Sequence, residues 1–182
     1  MAEAGYEVAA VSDLAETHAL IERLVGPPLA SVEVMRAIQE RSEASLFIFR
    51  EQGRITGVLG ELALVESGFE AIKAGAFSGV SPELDHIARP GDEVAAYYCW
   101  GLAAEGRRAS MHGVKAVIAA RDVVYPELPF FTTAAKPKGA ESDDVASNGA
   151  RVAFRRFGCT YYPGQPNLLY APKAMKAGSV AA

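Results

Sequence analysis

Two adjacent arginines and a serine follow a predicted buried strand at the point where the chain turns into a helix. Residues 94–103 are almost all apolar, which is typical of a central strand covered on both faces. The predicted turn is Ala104-Glu105-Gly106, and the helix opens with Arg107-Arg108-Ala109-Ser110-Met111-His112-Gly113. The first amides of a helix have no partners within it, and the helix dipole adds positive charge there. Guanidinium and hydroxyl groups beside such amides favour the binding of a phosphate group.

Acid–base chemistry near this strand would need a carboxylate or a phenol within reach of a reacting group. Glu61, late in a predicted hairpin, and Glu93, just before the central strand, are the candidate general bases. Tyr97 in the central strand is a third candidate catalytic residue. Both carboxylates are equally compatible with a role as surface charges.

The two cysteines, Cys99 and Cys159, are far apart in the sequence and have no metal-ligand spacing. We interpret them as buried thiols. The three histidines, His18, His86 and His112, also lack such spacing, and none is placed in sequence to act as a base for Cys99. The sequence therefore predicts neither a metal site nor a cysteine nucleophile.

Hydrophobic periodicity predicts the elements that must position these residues. A strand is predicted at 6–11, and a helix that begins at residue 14 is predicted to end at Gly26. A second helix is predicted from 32 to about 43. A hairpin with its turn at Gln52-Gly53 is predicted over 45–65. Residues 66–92 are expected to form a short helix and a loop. Beyond the central strand, the helix has apolar residues Met111, Val114, Val117 and Ile118 at helical spacing. A strand at 128–133, a polar loop at 136–148, a helix to 157 ended by Gly158, and strands at 159–162 and 168–171 complete the order.

Bulk composition is that of an ordinary globular domain. The chain has 182 residues, of which 50% are hydrophobic and 22% charged. This predicts one domain over 1–172, followed by a flexible tail at 173–182. Because the first residues resemble no secretion signal and no apolar run could span a membrane, we expect a cytoplasmic protein that is not bound to a membrane.

Charge is distributed unevenly along the chain. Residues 1–106 contain 7 Lys/Arg and 17 Asp/Glu, whereas residues 107–182 contain 11 and 5. The basic half suits a phosphate-bearing cofactor, and the acidic half would attract cationic acceptors and repel nucleic acid. Solvated surface charge explains the same pattern equally well.

The predicted element order resembles that of the GNAT superfamily of N-acetyltransferases over nearly the whole chain. The family's Q/R-x-x-G-x-G/A loop fits in two registers. One puts Arg107, Ser110 and His112 on the three defined positions, and the other puts Arg108, Met111 and Gly113 there. The first position matches in both registers, whereas most of the glycines are replaced.

A second segment, residues 147–159, is similar to the family's N-x-x-A-x-x-L-Y-x-x-x-G-F ending. Ala150 and Gly158 agree with it. Phe154 stands where many family members have a tyrosine that protonates the departing thiolate, and Ser147 stands at the asparagine, with Asn148 adjacent. Phe154 has no proton to give.

The resemblance implies an α/β (α+β) fold with a central mixed, mostly antiparallel twisted sheet of about 6–7 strands and about four flanking helices. It also implies that acetyl-CoA, or another acyl-CoA, is the donor. Backbone groups of Gly101, Leu102 and Ala103 would hold the pantetheine arm, residues 107–113 the pyrophosphate, and Asn148 would also contact the cofactor. A Tyr at 161, 162 or 170 would replace the missing tyrosine, or would simply pack in the core.

The implied activity is transfer of an acetyl group to a primary amine by direct attack, with a small-molecule or protein amine as partner. A homodimer is among the assemblies open to the chain, and the 66–92 connection would select the acceptor. The alternative is a GNAT-like domain that binds CoA or regulates another protein and has lost turnover. A third interpretation is an unrelated α/β domain whose arginines are only surface charge.

Overall fold

The computed structural model describes residues 1–133 and 155–172. The strands within these ranges are β1 (Glu7–Val8), β2 (Leu46–Glu51), β3 (Arg54–Leu64), β4 (Ala96–Ala104), β5 (Phe130–Thr133), β6 (Thr160–Tyr162) and β7 (Gln165–Ala171). The α-helices are α1 (Leu14–Leu24), α2 (Val32–Ser42), α3 (Glu66–Lys73) and α4 (Gly106–Ala119). The polar loop predicted at 136–148, the tail predicted at 173–182, and Ser147, Asn148, Ala150 and Phe154 lie outside the described residues.

The strands form one sheet in the order β1-β2-β3-β4-β5-β7-β6. All neighbouring strands run antiparallel except β4 and β5, which are parallel. The predicted fold class, a mixed and mostly antiparallel sheet flanked by helices, is confirmed. Because β4 and β5 are parallel, their C-terminal ends lie at the same end of the sheet.

Local sequence signals explain why the N-terminal half folds as predicted. The Ser31 hydroxyl accepts a hydrogen bond from the Val34 amide (3.3 Å) and caps α2. Gln52 and Gly53 have φ angles of 51° and 81°, which is the backbone conformation of a tight two-residue hairpin turn. The second helix and the β2–β3 hairpin are therefore confirmed.

A β-bulge interrupts the pairing of β3 with β4. Gly60 pairs with Gly101, but the next residue, Glu61, pairs with Cys99, so Trp100 is the extra residue of β4. A bulge reverses which face of the sheet the following side chains point to. Tyr97 and Cys99 before the bulge, and Leu102 and Ala104 after it, accordingly all pack in the core beneath α4.

The core has two layers, one on each face of the sheet. On one face, α4 covers a cluster that includes Tyr97, Leu59 and Phe130. On the other face, α1, α2 and α3 cover the remaining buried side chains, among them Tyr98. The prediction that β4 is covered on both faces, with Tyr97 and Tyr98 on opposite sides, is confirmed.

The helix α4 differs from the amphipathic pattern predicted for it. Met111 is 50% exposed, and Val114 is only half-buried. The buried face instead consists mainly of small residues: Ala109, Gly113, Ala116, Val117 and Ala120. Small side chains let the helix lie close to the sheet. After Ala119 the helix continues as a π-helical turn over Ala120–Val124.

Two further elements differ in extent from the prediction. The first strand is limited to Glu7–Val8, because the chain enters a 3-10 turn at Val11–Asp13, where Asp13 Oδ2 accepts a hydrogen bond from the Ala10 amide (3.0 Å). The 66–92 connection consists of α3, a second 3-10 turn at Leu84–His86, and loops. Gly158 has a φ of 62° immediately after the helical residues 155–157, as its predicted position at a helix end requires.

Candidate functional site

Strand β4 leads almost directly into α4, and this junction forms the first part of the site. Glu105 separates the two elements, and its amide donates to the Thr56 carbonyl of β3 (2.7 Å). Gly106, the first helical residue, has a φ of 81°, a conformation that glycine adopts readily. The amides of Gly106, Arg107 and Arg108 lack partners within the helix because the residues four positions earlier lie outside it. This end of α4 thus offers free donors and the positive end of a helix dipole.

Charged side chains surround these amides. Both Arg107 and Arg108 are exposed, and Arg108 Nε lies 3.7 Å from Glu51 Oε1. The Glu105 carboxylate is held by both terminal nitrogens of Arg23 (2.8 and 3.0 Å), with Arg54 at 3.8 Å. The hydrogen bond from Arg23 lowers the pKa of Glu105. The acidic residue next to the free amides is therefore already paired with cations.

The rest of the predicted phosphate segment lies in the body of the helix. Ser110 donates to the Gly106 carbonyl (2.8 Å), and the ring of His112 bonds through Nδ1 to the Ala4 carbonyl (2.7 Å). A Cβ on Gly113 would lie 2.7 Å from Leu102 Cδ1, so this glycine allows α4 to approach β4. In both registers of the family motif, the residue at the last motif position, His112 or Gly113, lies beyond the free amides of Gly106 to Arg108. Gly106, not proposed from the sequence as a cofactor contact, contributes one of them.

The second part of the site is the edge of β4 that faces β5. Pairing between the two strands covers only Tyr97 to Cys99 of β4, whereas β4 continues to Ala104. Among the described residues no strand pairs with this edge beyond Cys99. Gly101 is exposed, and a Cβ built on it would meet no atom within 4 Å. The predicted residues Gly101, Leu102 and Ala103 thus carry backbone groups along an open edge that leads to α4.

A buried carboxyl–phenol pair lies on the α4 face, beside the last described pair of β4 and β5, Cys99 with Thr132. The Tyr97 hydroxyl donates to Glu61 Oε1 at 2.7 Å. Glu61 is 6% exposed and Tyr97 is fully buried. Burial raises the pKa of Glu61 to about 7, against the lowering effect of the hydrogen bond from Tyr97. A carboxyl group with a pKa near neutrality can exchange a proton under physiological conditions.

Tyr125, which the sequence did not single out, joins this pair. Its ring stacks on that of Tyr97 with 4.8 Å between the ring centres. Burial, together with the charge of Glu61, raises the pKa of Tyr125. No sequence pattern marked Tyr125, because it follows the π-helical turn and reaches Tyr97 only through the fold.

The other candidate acids and bases lie elsewhere. Glu93 is exposed and precedes β4, away from the Glu61–Tyr97 pair. Tyr161 is 52% exposed on the edge strand β6. Tyr162 and Tyr170 make an edge-to-face contact with each other and pack on the face of the sheet opposite α4.

Both thiols are free and buried, as predicted. Burial raises the pKa of Cys99 to about 12 and that of Cys159 to about 11. At neutral pH they are therefore protonated, which is unfavourable for a nucleophile. Over residues 1–133 and 155–172, no group of three or more His, Cys, Asp or Glu side chains is placed to hold a metal ion. In the same ranges no helix is both long and apolar enough to cross a membrane.

Comparison with known proteins identifies the architecture. No model of a protein family and no curated protein matches the chain. Among solved structures, it is similar to the GNAT-like decarboxylase GphF in complex with isobutyryl-CoA, with 17% sequence identity and a TM-score of 0.52. The chain has a GNAT-like fold. This likeness covers 71% of the chain and 65% of the decarboxylase, which is less than two thirds of that protein's length.

The chain is also similar to a solved structure named histone acetyltransferase HPA2 and related acetyltransferase from Corynebacterium glutamicum. It shares 14% identity with a TM-score of 0.48, and the match covers 93% of this chain and 96% of that one. At these identities the similarity concerns the fold alone. The chemistry of this GNAT-like chain must be argued from its own residues.

Proposed function

We propose that the chain is an acyl-CoA-dependent N-acyltransferase that transfers an acetyl group from acetyl-CoA to a primary amine. The observation that carries this proposal is the path of β4. Beyond Cys99 the strand has no partner on this edge within residues 1–133 and 155–172, and it leads to the free amides and two arginines at the start of α4. A ligand with amide groups in its middle and a pyrophosphate at one end matches that sequence of donors and acceptors.

The cofactor would be held mainly by backbone groups. Gly101, Leu102 and Ala103 offer the edge of a strand, so the amides of the pantetheine arm can bind there as an added strand would. The amides of Gly106 to Arg108, with the Arg107 and Arg108 side chains, would bind the pyrophosphate. In this proposal the thioester would lie toward Cys99, which Glu61 faces across the β3–β4 pair.

The chemical step needs a proton acceptor. The amine nitrogen attacks the thioester carbonyl carbon, the C–S bond breaks, and CoA leaves as the thiolate. The proton lost by the amine passes through water to Glu61, whose pKa of about 7 leaves part of it ionised at neutral pH. Tyr97 holds the carboxylate in place through its 2.7 Å hydrogen bond. Orientation of amine and thioester supplies the remaining rate enhancement.

A second candidate function is a CoA-binding domain without turnover. The observation that favours it is the burial of Glu61, which is only 6% exposed and already bound by Tyr97. Phe154 at the position of the family's tyrosine fits the same interpretation. Such a domain would bind acetyl-CoA with the same residues but would release no CoA in the presence of amines.

The first experiment is calorimetric titration with acetyl-CoA and with CoA. We expect micromolar binding to the wild-type protein and at least tenfold weaker binding to the Arg107→Ala, Arg108→Ala double variant. The matched control is the Arg36→Ala, Lys115→Ala double variant, which removes two exposed positive charges away from the free amides and should bind like the wild type. Absence of binding to folded wild-type protein would refute the proposal.

Turnover separates the two candidates. Release of free CoA thiol is measured with a panel of primary amines, for wild-type protein and for Glu61→Gln. Amine-dependent release that Glu61→Gln abolishes supports the acyltransferase. Binding of acetyl-CoA with no release for any amine supports the binding domain.

A further inference from the structure

Arg121 is the largest fully buried side chain among the described residues. It lies in the π-helical turn Ala120–Val124 and is 0% exposed. One terminal nitrogen, Nη1, donates to the carbonyls of Tyr125 (3.1 Å) and Leu128 (2.6 Å). These two bonds, with the face of the Phe130 ring 5.7 Å from Cζ, fix the position of the guanidinium.

The other donors of this guanidinium are unsatisfied. Nε and Nη2 are buried and make no hydrogen bond. Buried donors without a partner are rare and cost free energy, and a charged group costs more. Nε and Nη2 also share one edge of the planar guanidinium, where their N–H bonds are parallel and match the two oxygens of a carboxylate. The unsatisfied donors thus form a complete two-pronged binding edge.

The hydrogen bonds of this guanidinium among the described residues go to neutral carbonyl groups. Cys159 has a pKa of about 11 and is a neutral thiol at pH 7, whereas the charges of Asp122 and Glu127 favour the protonated form of Arg121. Asp122 is bound by Arg156 at 2.6 Å. Burial lowers the pKa of Arg121, yet an arginine remains protonated in proteins. The site therefore carries a positive charge that a monoanion would balance.

Arg121 lies beside the paired part of β4 and β5. Phe130, over which the guanidinium lies, pairs with Tyr97 in the sheet, and their ring centres are 5.4 Å apart. Tyr97 is two residues before Cys99, the last residue of β4 that pairs with β5 among the described residues. Along the helix, Arg121 is about 21 Å from Arg107 at a rise of 1.5 Å per residue. A ligand whose phosphates lie at Arg107 would therefore extend its reacting end toward Arg121.

We propose that Arg121 is a binding site for the carboxylate of a ligand, which Nε and Nη2 hold in a two-pronged hydrogen bond. A monovalent carboxylate fits better than a phosphate because one buried positive charge balances one negative charge. Arg121 belongs to the π turn, whose Val123 and Val124 side chains are 76% and 55% exposed and contribute little packing. We therefore expect this turn to move when the ligand enters.

The carboxylate has two sources, an acyl group that ends in a carboxylate or an amino acid acceptor. The acyl source rests on the proposed function, whereas the carboxylate site itself does not. Matched ligands distinguish the two sources, since each pair differs only by a methyl in place of a carboxylate. Succinyl-CoA is compared with butyryl-CoA for the acyl source, and glycine is compared with ethylamine for the acceptor source.

Calorimetric titration is performed with wild-type protein, Arg121→Met and Arg121→Lys. We expect the carboxylate member of one pair to bind the wild type at least tenfold more tightly than its methyl partner, and both variants to lose that preference. Lysine keeps the charge but has no parallel pair of N–H groups. The Arg121→Lys variant therefore tests the two-pronged hydrogen bond even if Arg121→Met fails to fold. The control variant Lys115→Met removes an exposed cation of α4 and should keep the preference.

Two results would overturn the carboxylate site. One is equal binding of both members of each pair by the wild type, and the other is a preference that survives in both Arg121 variants. If no CoA thioester binds at all, the proposed function fails. Butyrate and its neutral counterpart butanamide, together with glycine and ethylamine, then test Arg121 directly: tighter binding of the carboxylate that requires Arg121 supports the site, and its absence refutes it.

Discussion

The Tyr97 hydroxyl lies 2.7 Å from Glu61 Oε1, although the two residues are 36 positions apart in the sequence. Both side chains are buried beneath α4. Because burial favours the neutral carboxylic acid and the phenol favours the carboxylate, the two effects oppose each other at Glu61. The protonation of this single carboxyl group therefore links the proposed activity to stability and pH.

The rate of acyl transfer is expected to depend on pH through Glu61. Below its pKa of about 7 the group is protonated and cannot accept a proton, so kcat/KM should rise with pH and level off above 7. Tyr97→Phe removes the hydrogen bond that lowers this pKa, so the midpoint should move to higher pH. The measurement is kcat/KM from pH 5 to 9 for both proteins. An unchanged midpoint in Tyr97→Phe would argue against Glu61 as the proton acceptor.

Stability is expected to change with pH in the opposite direction. The pKa of Glu61 is about 7 in the folded protein and 4.5 in the absence of burial, so the folded state binds the proton more tightly. The resulting stabilisation is fully present below pH 4.5 and is lost as pH rises to 7, a change of about 3 kcal/mol in the free energy of unfolding. Urea titrations across this range should show the loss in the wild type.

Glu61→Gln provides the control for that measurement, because glutamine does not titrate. The difference in unfolding free energy between the two proteins should shift in favour of Glu61→Gln by about 3 kcal/mol between pH 4.5 and 7.5. Other titrating groups cancel in this difference. A difference that stays constant with pH would show that the pKa of Glu61 is not raised by folding.

Two glycines at the site should respond differently to alanine. In Gly113→Ala the new Cβ would lie 2.7 Å from Leu102 Cδ1 and 3.1 Å from the Tyr6 hydroxyl, so overpacking should destabilise the protein by about 1–3 kcal/mol. In Gly101→Ala the Cβ meets no atom within 4 Å, so stability should change by less than about 0.5 kcal/mol. If the pantetheine arm runs along this edge, Gly101→Ala should also weaken acetyl-CoA binding. Thermal denaturation and calorimetry measure the two effects.

The contact of α3 with the following 3-10 turn should also tolerate no added methyl group. A Cβ on Gly68 would lie 2.6 Å from the His86 carbonyl oxygen, which is backbone and cannot rotate away. Gly68→Ala is expected to lower the free energy of unfolding by about 1–3 kcal/mol, as urea denaturation would show. The control is Gly53→Ser in the hairpin turn, where no atom lies within 4 Å but φ is 81°. Its cost should come from the backbone alone, about 1 kcal/mol.

Elements with a strong periodic signal could be predicted from the sequence. The β2–β3 hairpin, α2 and β4 have local causes, such as the Ser31 cap and the Gln52-Gly53 turn, that act within a few residues. The extent of β1 and the buried face of α4 depended on packing. The small residues of α4 are buried whereas Met111 is exposed, and a hydrophobicity pattern does not contain that information.

The site was less predictable because it depends on the alignment of distant segments. Glu61 was proposed from its place in the hairpin, but its contact with Tyr97 depends on which residues of β3 and β4 face each other. The start of α4 at Gly106 determines which amides are free, and motif spacing alone does not fix it. Arg121 had a usable signal: it follows Val117 by four residues and so lies on the buried face of α4, where a charged residue is unusual.

The bulge at Trp100 absorbs one extra residue of β4. Because the alternation of side chains shifts by one residue there, Cys99 and Leu102 both face α4 although they are three residues apart. The irregularity thus keeps one face of a continuous strand beneath the helix over its whole length. In evolutionary terms, the bulge makes a one-residue insertion tolerable at this position, whereas an insertion elsewhere in β4 that no bulge absorbs would exchange the two surfaces of half the strand.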